Sequence, residues 1–241
     1  MTATIAVLFA LHPMGASVEV NWDPELRADA ERTDLVQWVE RYAGEAVDGA
    51  SRFTGVELDR PLKVYVHSAD SFQKRYGRSH SDFAWAHYYR GQVHVNGGIP
   101  IRRSFVGLLH HEMTHAVLDA KGRSRVLPRW LNEGLAERAE AIAMGRREID
   151  QVQRLYLKDG LRDGELPALE SMGAPKNATQ YLQCQAAIHF AFQKYGRETV
   201  LEAVRDALEN GSFEDSWSKA TSTTVRRFDT LFRDWIEDFE G

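Results

Sequence analysis

One short stretch of the chain holds the residue types that metal-assisted hydrolysis needs. His111 and His115 are four residues apart and Glu112 directly follows the first of them, which is the pattern H-E-x-x-H. On an α-helix, positions four residues apart lie about 5–6 Å apart at Cβ, so both imidazoles can reach one Zn²⁺. Glu112 is turned about 100° round the helix, close enough to touch a water on the metal without being a ligand. The pattern therefore predicts two zinc ligands and a general base on one helix.

The alternative is a helix whose polar residues align by chance. Apolar residues flank the pattern (Leu109, Val117 and Leu118), which indicates that this helix is buried. Buried polar groups need partners, and a histidine–glutamate cluster without a ligand in a protein core would be costly. The flanking residues therefore favour a functional cluster.

A catalytic zinc also needs a third protein ligand that leaves its fourth position open for water. Glu133 is the best candidate, because it lies on a predicted second helix that a short loop can fold back beside the first. The alternative is a surface carboxylate, but apolar neighbours such as Leu135 indicate that this helix has a buried face. Glu137 and Asp119 are candidates to accept the second ring N–H of a ligating histidine.

The composition is that of a globular protein and excludes several classes of function. The chain has 241 residues, 43% of them hydrophobic, and a net charge of -5 without a basic stripe, so nucleic acid is not expected as a partner. It has no apolar run long enough to predict a transmembrane segment. The single cysteine, Cys184, excludes an intrachain disulfide and a cysteine-rich zinc site, and we expect it to be packed in the core.

The N-terminus has two interpretations. Residues 2–11 form an uncharged apolar run, followed by small residues at 14–17, which is typical of a signal peptide over 1–16. This favours an exported protein, periplasmic or secreted. No Lys or Arg precedes the run, as a secretory signal would have, although a start codon assigned too far downstream would explain that. The alternative is a first β-strand, which leaves a cytoplasmic protein open.

The hydrophobic periodicity changes along the chain from strand-like to helical. Strands are predicted at 17–22, 62–66 and 92–96, and helices at 34–48, 69–76, 104–120, 129–144, 148–158, 179–195, 198–209 and 224–239. Ser104 is the expected N-cap of the central helix, and 123–127 and 166–169 are expected to be loops. We therefore predict one α+β domain over 17–241: a part at 17–122 with a small mixed sheet and the active-site helix, then a helical part at 123–241.

An aromatic segment precedes the central helix. Trp85, Tyr88 and Tyr89 lie in the segment 82–90, which we expect to form an edge hairpin with the strand 92–96. An edge strand can bind an extended peptide by main-chain pairing, so these aromatic residues line either a cleft or the core. We expect His94 to be a solvated strand histidine, with a position facing the cleft as the alternative.

Two segments of the chain together resemble a known family. H-E-M-T-H at His111–His115 and W-L-N-E-G-L-A-E at Trp130–Glu137 are similar to the gluzincin branch of zinc metallopeptidases. The greatest likeness is to the bacterial peptidase MA-like domains, distant relatives of thermolysin and aminopeptidase N. It covers most of the chain after residue 60, although the interval between the two segments is one residue shorter than in aminopeptidase N.

The resemblance implies a zincin-like fold and a zinc-dependent peptidase that acts on a peptide or protein substrate. The family's ligands and base correspond to these residues: His111, His115 and Glu133 for Zn²⁺, and Glu112 for the base. The family's oxyanion-stabilising residue on a later helix corresponds to Tyr181, with His189 in reserve, although either residue could serve only packing. Two alternatives stay open: a non-catalytic zinc-containing binding module of the same fold, and a zinc hydrolase of a non-peptide bond.

Overall fold

The chain has an α+β fold, as its periodicity predicts. The computed structural model describes residues 18–28, 33–77, 85–99, 103–120, 122–146 and 148–238. The chain divides into two compact units, Met1–Ala120 and Lys121–Gly241. The described residues hold a four-stranded mixed sheet and ten α-helices. The predicted signal peptide lies outside the described residues, and the single domain over 17–241 stays a prediction.

The first unit combines the sheet with four helices. Its elements have these bounds: β1 Val18–Trp22, α1 Pro24–Ala28, α2 Thr33–Thr54, β2 Leu62–His67, α3 Ala69–Tyr76, β3 Ala86–Tyr89, β4 Gln92–Asn96 and α4 Arg103–Leu118. The strand order is β1-β2-β4-β3, with β1, β2 and β4 parallel and β3 antiparallel to β4. The predicted strands are confirmed, and β3 forms one edge of the sheet.

A tight turn joins β3 to β4. Arg90 (φ 50°) and Gly91 (φ 82°) both have positive φ, which a type I′ turn requires and which suits the twist of a two-stranded ribbon. The register pairs Tyr88 with Val93 and His87 with His94. The predicted hairpin is therefore confirmed, and its register fixes which side chains share a face.

The two faces of the sheet differ in chemistry. One face packs its valines against α2 and α4 in a core that is fully shielded from solvent, and these valines are Val64, Val66, Val93 and Val95. On the other face, the rings of Phe72 and Tyr76 from α3 lie 6.1 Å and 6.3 Å from the ring of His67. Helix α3 begins after the N-cap Ser68 and ends before Gly77, as predicted. Around His67 and His94 the second face is therefore covered by aromatic residues.

Helix α4 differs from its prediction at both ends. It begins at Arg103, so the predicted N-cap Ser104 lies inside its first turn. It ends at Leu118, two residues early, because the Ala120 N–H bonds to the Val117 carbonyl in a tighter turn. Differences of one or two residues at helix ends do not move the central turns that carry the H-E-x-x-H pattern.

The second unit is helical throughout its regular structure. Its elements have these bounds: 3₁₀ turn Ser124–Val126, α5 Arg129–Ala143, α6 Gln151–Arg162, 3₁₀ turn Leu169–Ser171, α7 Ala178–Tyr195, α8 Arg197–Asn210, α9 Phe213–Thr221 and α10 Val225–Glu237. Its core includes Trp130, Trp217 and Phe228, all fully buried, with the rings of Trp130 and Phe228 5.6 Å apart. The predicted loop 123–127 contains the first 3₁₀ turn, and the second begins at the last residue of the predicted loop 166–169.

Capping residues explain two differences between the predicted and the observed helices of this unit. Helix α6 begins at Gln151 and not at 148, because Asp150 and Gln153 form a capping box. Helix α9 was not predicted, although Ser212 caps it by accepting a hydrogen bond from the Asp215 N–H. It ends at Thr221, because the C-cap Ser222 has a φ of 55° that stops the helix before α10 begins.

Helices α5 and α7 pack very closely in the second unit. A Cβ added at Gly134 would lie 2.4 Å from the backbone oxygen of Cys184, so only glycine fits at this crossing. The thiol of Cys184 is fully buried, which confirms that it belongs to the core. Among the described residues, no helix is both long enough and apolar enough to cross a membrane.

Candidate metal centre

Helix α4 carries both apolar and polar residues that are buried. Leu109, Met113 and Val117 recur every four residues and are fully buried. His111 and Glu112 are also buried, at 8% and 6% exposure, and His115 is half-buried. The prediction of a buried helix is therefore confirmed, and its polar groups need partners.

The two predicted histidine ligands lie together. The Nε2 atoms of His111 and His115 are 3.1 Å apart, and their ring centroids are 4.8 Å apart with the planes at 77°. Two imidazole nitrogens this close share either one proton or one cation. Two Zn–N bonds of about 2.0–2.1 Å at the tetrahedral angle would set the nitrogens about 3.3–3.4 Å apart. The pair therefore fits a zinc ion after a shift of a few tenths of an ångström.

Glu112 is positioned by the edge of the sheet. Its Oε2 accepts a hydrogen bond from the backbone N–H of Tyr88 at 2.5 Å, which fixes one carboxylate oxygen against β3. A carboxylate in this position can act as a general base. One of its oxygens already accepts a hydrogen bond, and the other is left to accept a proton. His111, Glu112 and His115 therefore lie on one helix, with the two imidazoles in contact and Glu112 held by β3.

Asp119, a candidate partner for a ligating histidine, has a different neighbour that sequence analysis missed. The phenol O–H of Tyr88 donates to Oδ2 of Asp119 at 2.8 Å. Burial, together with Asp119, raises the pKa of Tyr88, so its phenol stays protonated and remains a donor. The sequence offered one signal, the aromatic segment 82–90 before α4, but such a segment does not indicate which residue of α4 it contacts.

His110 precedes the first predicted ligand but has a packing role. A Cβ added at Gly49 of α2 would lie 2.6 Å from Cε1 of His110, so the imidazole fills the space that the glycine leaves. Burial, assisted by the positive charge of Arg52, lowers the pKa of His110 and keeps it neutral. The three histidines of this helix therefore divide into two ligand candidates and one packing residue.

The expectation that His94 is solvated is wrong. It is 1% exposed, and its Nδ1 lies 2.9 Å from Nε2 of His67 across β2 and β4. Its ring stacks on Tyr65 at 5.5 Å, and Tyr76 of α3 covers it from above. His94 lies on the face of the sheet opposite the valine core, and α3 covers it there. Of the aromatic residues nearby, Trp85 and Tyr88 pack against the core and Tyr89 is exposed.

In the second unit, Glu133 and Glu137 lie one turn apart on α5. Their neighbours Trp130, Leu131 and Leu135 are fully buried, which confirms that this helix has a buried face. Burial raises the pKa of the Cys184 thiol on α7, and the negative charges of Glu133 and Glu137 add to this effect. The role of Glu133 as a metal ligand stays a prediction.

The two candidates for the oxyanion-stabilising residue lie on α7 in different surroundings. Tyr181 lies in the first turn and is 36% exposed. His189 is buried, with its Nε2 3.4 Å from Oε2 of Glu148. Burial, assisted by Arg138, lowers the pKa of His189. Tyr181 is therefore the more accessible of the two, and its catalytic role stays a prediction.

Comparison with known proteins adds no family to these observations. No protein-family model matches the chain, and its sequence matches no curated protein. The likeness to the gluzincins consequently stays a prediction from the sequence.

Proposed function

We propose that this protein is a zinc-dependent peptidase of the gluzincin type. The observation that carries the proposal is the pair of Nε2 atoms of His111 and His115, 3.1 Å apart, next to the buried carboxylate of Glu112. Two nitrogen donors and a base on one helix are what metal-assisted hydrolysis of an amide requires. The packing of α4 against a mixed sheet with an antiparallel edge strand supports a zincin-like fold.

On this proposal Zn²⁺ is held by His111, His115 and Glu133. Two histidines and one glutamate form the ligand set of one class of catalytic zinc site, which leaves one coordination position for water. Glu133 is assigned from the paired segments His111–His115 and Trp130–Glu137. Glu137 is the proposed acceptor for a second ring N–H, which would hold that imidazole in the ligating tautomer.

The residues of the chain then have distinct chemical tasks. When bound, zinc supplies the Lewis acidity that polarises a scissile carbonyl and makes water nucleophilic at neutral pH. Glu112 takes a proton from the attacking water and passes it to the leaving amine, so the carboxylate is restored in each turnover. Tyr181 donates its O–H to the developing oxyanion, and loss of one such donor typically costs about 10²–10³ in rate.

The test measures zinc content and peptide hydrolysis on the same preparations. Wild-type protein purified without added zinc should hold about one zinc per chain by elemental analysis, and Glu133→Ala much less, because one of three ligands is gone. Glu112→Gln should keep zinc and lose at least about 10²-fold in kcat on an internally quenched peptide library. Glu202→Ala, an exposed glutamate on α8, is the matched control and should match the wild type in both measurements.

Each other outcome has a definite meaning. Wild-type protein that takes up no zinc even when zinc is supplied would contradict the proposal and make the histidines core residues. Zinc with hydrolysis of esters but not of peptides would identify a non-peptide hydrolase. Zinc with neither activity would identify a binding module with a structural metal.

A further inference from the structure

Tyr88 contacts α4 at two points on its polar side. Its backbone N–H donates to Oε2 of Glu112 at 2.5 Å, and its phenol O–H donates to Oδ2 of Asp119 at 2.8 Å. Glu112 and Asp119 lie two helical turns apart, with His115 between them on the same side. One strand residue therefore spans the side of the helix that carries the proposed base.

The geometry of the β3–β4 hairpin explains why the backbone of Tyr88 can reach Glu112. In an antiparallel pair, successive residues direct their N–H and C=O alternately toward the partner strand and away from it. The backbone groups of Trp85 point toward β4, because its carbonyl accepts the Asn96 N–H at 2.9 Å. Three residues further along the strand, the backbone N–H of Tyr88 therefore points away from β4. Among the described strands β3 is at the edge of the sheet, so this outward N–H pairs with Glu112.

The side chain of Tyr88 fixes the strand that carries this N–H. Its ring packs on the core between the sheet, α2 and α4, and its O–H is anchored on Asp119 at the C-terminal end of α4. An edge strand is held by one neighbour only, so a second anchor on the helix limits how far β3 can move. Loss of that anchor would free the N–H to shift relative to Glu112.

We propose that Tyr88 is a positioning residue for the general base, which rests on the peptidase function proposed above. Its N–H holds Oε2 of Glu112, so Oε1 is the oxygen that takes the proton from water and delivers it to the leaving amine. The O–H···Asp119 bond keeps β3, and with it the N–H, in place. A displacement of a catalytic group by about 1 Å can cost about 10²-fold in rate.

The experiment measures kcat, KM and zinc content of Tyr88→Phe on the best substrate from the quenched peptide library. This change removes the bond to Asp119 and keeps the ring, so kcat should fall about tenfold to a hundredfold with KM and zinc content unchanged. Tyr89→Phe is the matched control, because Tyr89 lies on the opposite face of β3 and is 45% exposed. It should behave like the wild type.

Variants at Asp119 distinguish positioning from general destabilisation. Asp119→Ala should lower kcat as Tyr88→Phe does, and the double variant should be no slower, because both changes break one bond. Asp119→Asn keeps an oxygen that can accept from the phenol, so it should restore most of the lost kcat. This rescue keeps the test decisive even if Tyr88→Phe folds poorly.

Three results would overturn the inference. Wild-type kcat in Tyr88→Phe would remove Tyr88 from base positioning and leave the peptidase proposal intact. A fall in kcat accompanied by equal loss of zinc or of folded protein, without rescue by Asp119→Asn, would show a purely structural role. Wild-type protein that neither holds zinc nor cleaves any peptide would overturn both proposals.

Discussion

The first unit contains two groups of histidines whose nitrogens are almost equally close. In the helix pair, His111 and His115 of α4, the two Nε2 atoms are 3.1 Å apart. In the sheet-face pair, His67 and His94 of β2 and β4, the closest nitrogens are 2.9 Å apart. Distance between nitrogens therefore does not distinguish a ligand pair from a packed pair.

The surroundings of the two pairs differ more than their distances. The helix pair lies beside the carboxylate of Glu112, which the edge strand holds. The sheet-face pair is stacked between Tyr65 and the rings of α3, and Oδ1 of Asp23 is 3.9 Å from Nδ1 of His67. Within the described part of the chain, the sheet-face rings do not gather three ligand atoms around one point. The comparison teaches that the side chains next to a histidine pair, and not the distance between its nitrogens, distinguish the two pairs.

The largest expected effect is on zinc affinity. His115→Ala should weaken zinc binding by more than about a hundredfold, because even loss of an outer-shell partner costs 10–100-fold. His94→Phe, which keeps a ring in the stack with Tyr65, should leave the affinity unchanged. Competition with a chromophoric chelator measures both variants. Equal losses in the two variants would remove the distinction between the helix pair and the sheet-face pair.

The second effect is loss of stability in acid through the sheet-face pair. Burial lowers the pKa of His94 to about 3, assisted by the charges of His67, His87 and Arg75, and burial also lowers that of His67 against the opposing effect of Asp23. Above pH 6.5 these imidazoles are neutral in both the folded and the unfolded chain, so the full stability is present. Below pH 6.5 the histidines of the unfolded chain take up protons that those of the folded chain do not. The free energy of unfolding therefore falls as the pH is lowered toward 3.

This acid effect should amount to about 1–2 kcal/mol for His94 at pH 5. Urea unfolding at pH 7 and pH 5, with a chelator present to exclude metal, measures it. His94→Phe should lose less stability than the wild type between these pH values, and His110 contributes equally to both chains. An identical pH dependence in wild type and variant would show that His94 is not kept neutral in the folded state.

The smallest expected effect is on stability, and it compares the packing residue His110 with the ligand candidates His111 and His115 on the same helix. Gly49→Ala would place a Cβ 2.6 Å from His110, so this ring must shift. Overpacking costs about 1–3 kcal/mol, and the better helix propensity of alanine offsets about 1 kcal/mol of that. We expect a net loss of about 1 kcal/mol in urea unfolding with zinc affinity unchanged. A loss of zinc affinity would place His110 in the metal centre after all.

Local signals predicted much of the fold. Ser68 and Gly77 delimit α3, and Pro128 precedes α5, because capping and proline geometry act within a few residues. Burial of the second sheet face was not predictable in this way. It depends on α3 folding back over His94, a long-range contact that strand alternation does not encode. The missed helix α9 did have a local signal, the cap formed by Ser212 and Asp215.

The candidate site was predictable only where its residues share one helix. His111, Glu112 and His115 follow from a fixed spacing, because helix geometry alone sets their relation. Tyr88 was not predictable as a partner of Glu112, since this contact depends on hairpin register and on how β3 packs against α4. Glu133 and Tyr181 lie in the second unit, outside that fixed spacing. Glu133 was predicted from its place on a second helix and from the resemblance, and Tyr181 from the resemblance alone.

In a saturation-mutagenesis screen scored by activity alone, substitutions at Glu133 and at its neighbour Gly134 would have the same effect. Every side chain at Gly134 collides with the backbone of Cys184, so each substitution separates α5 from α7. On the proposed function, loss of Glu133 as a zinc ligand would give the same inactive phenotype for a chemical reason. Only a parallel score for protein abundance would separate them, since variants at Gly134 would disappear from the cell while those at Glu133 would accumulate.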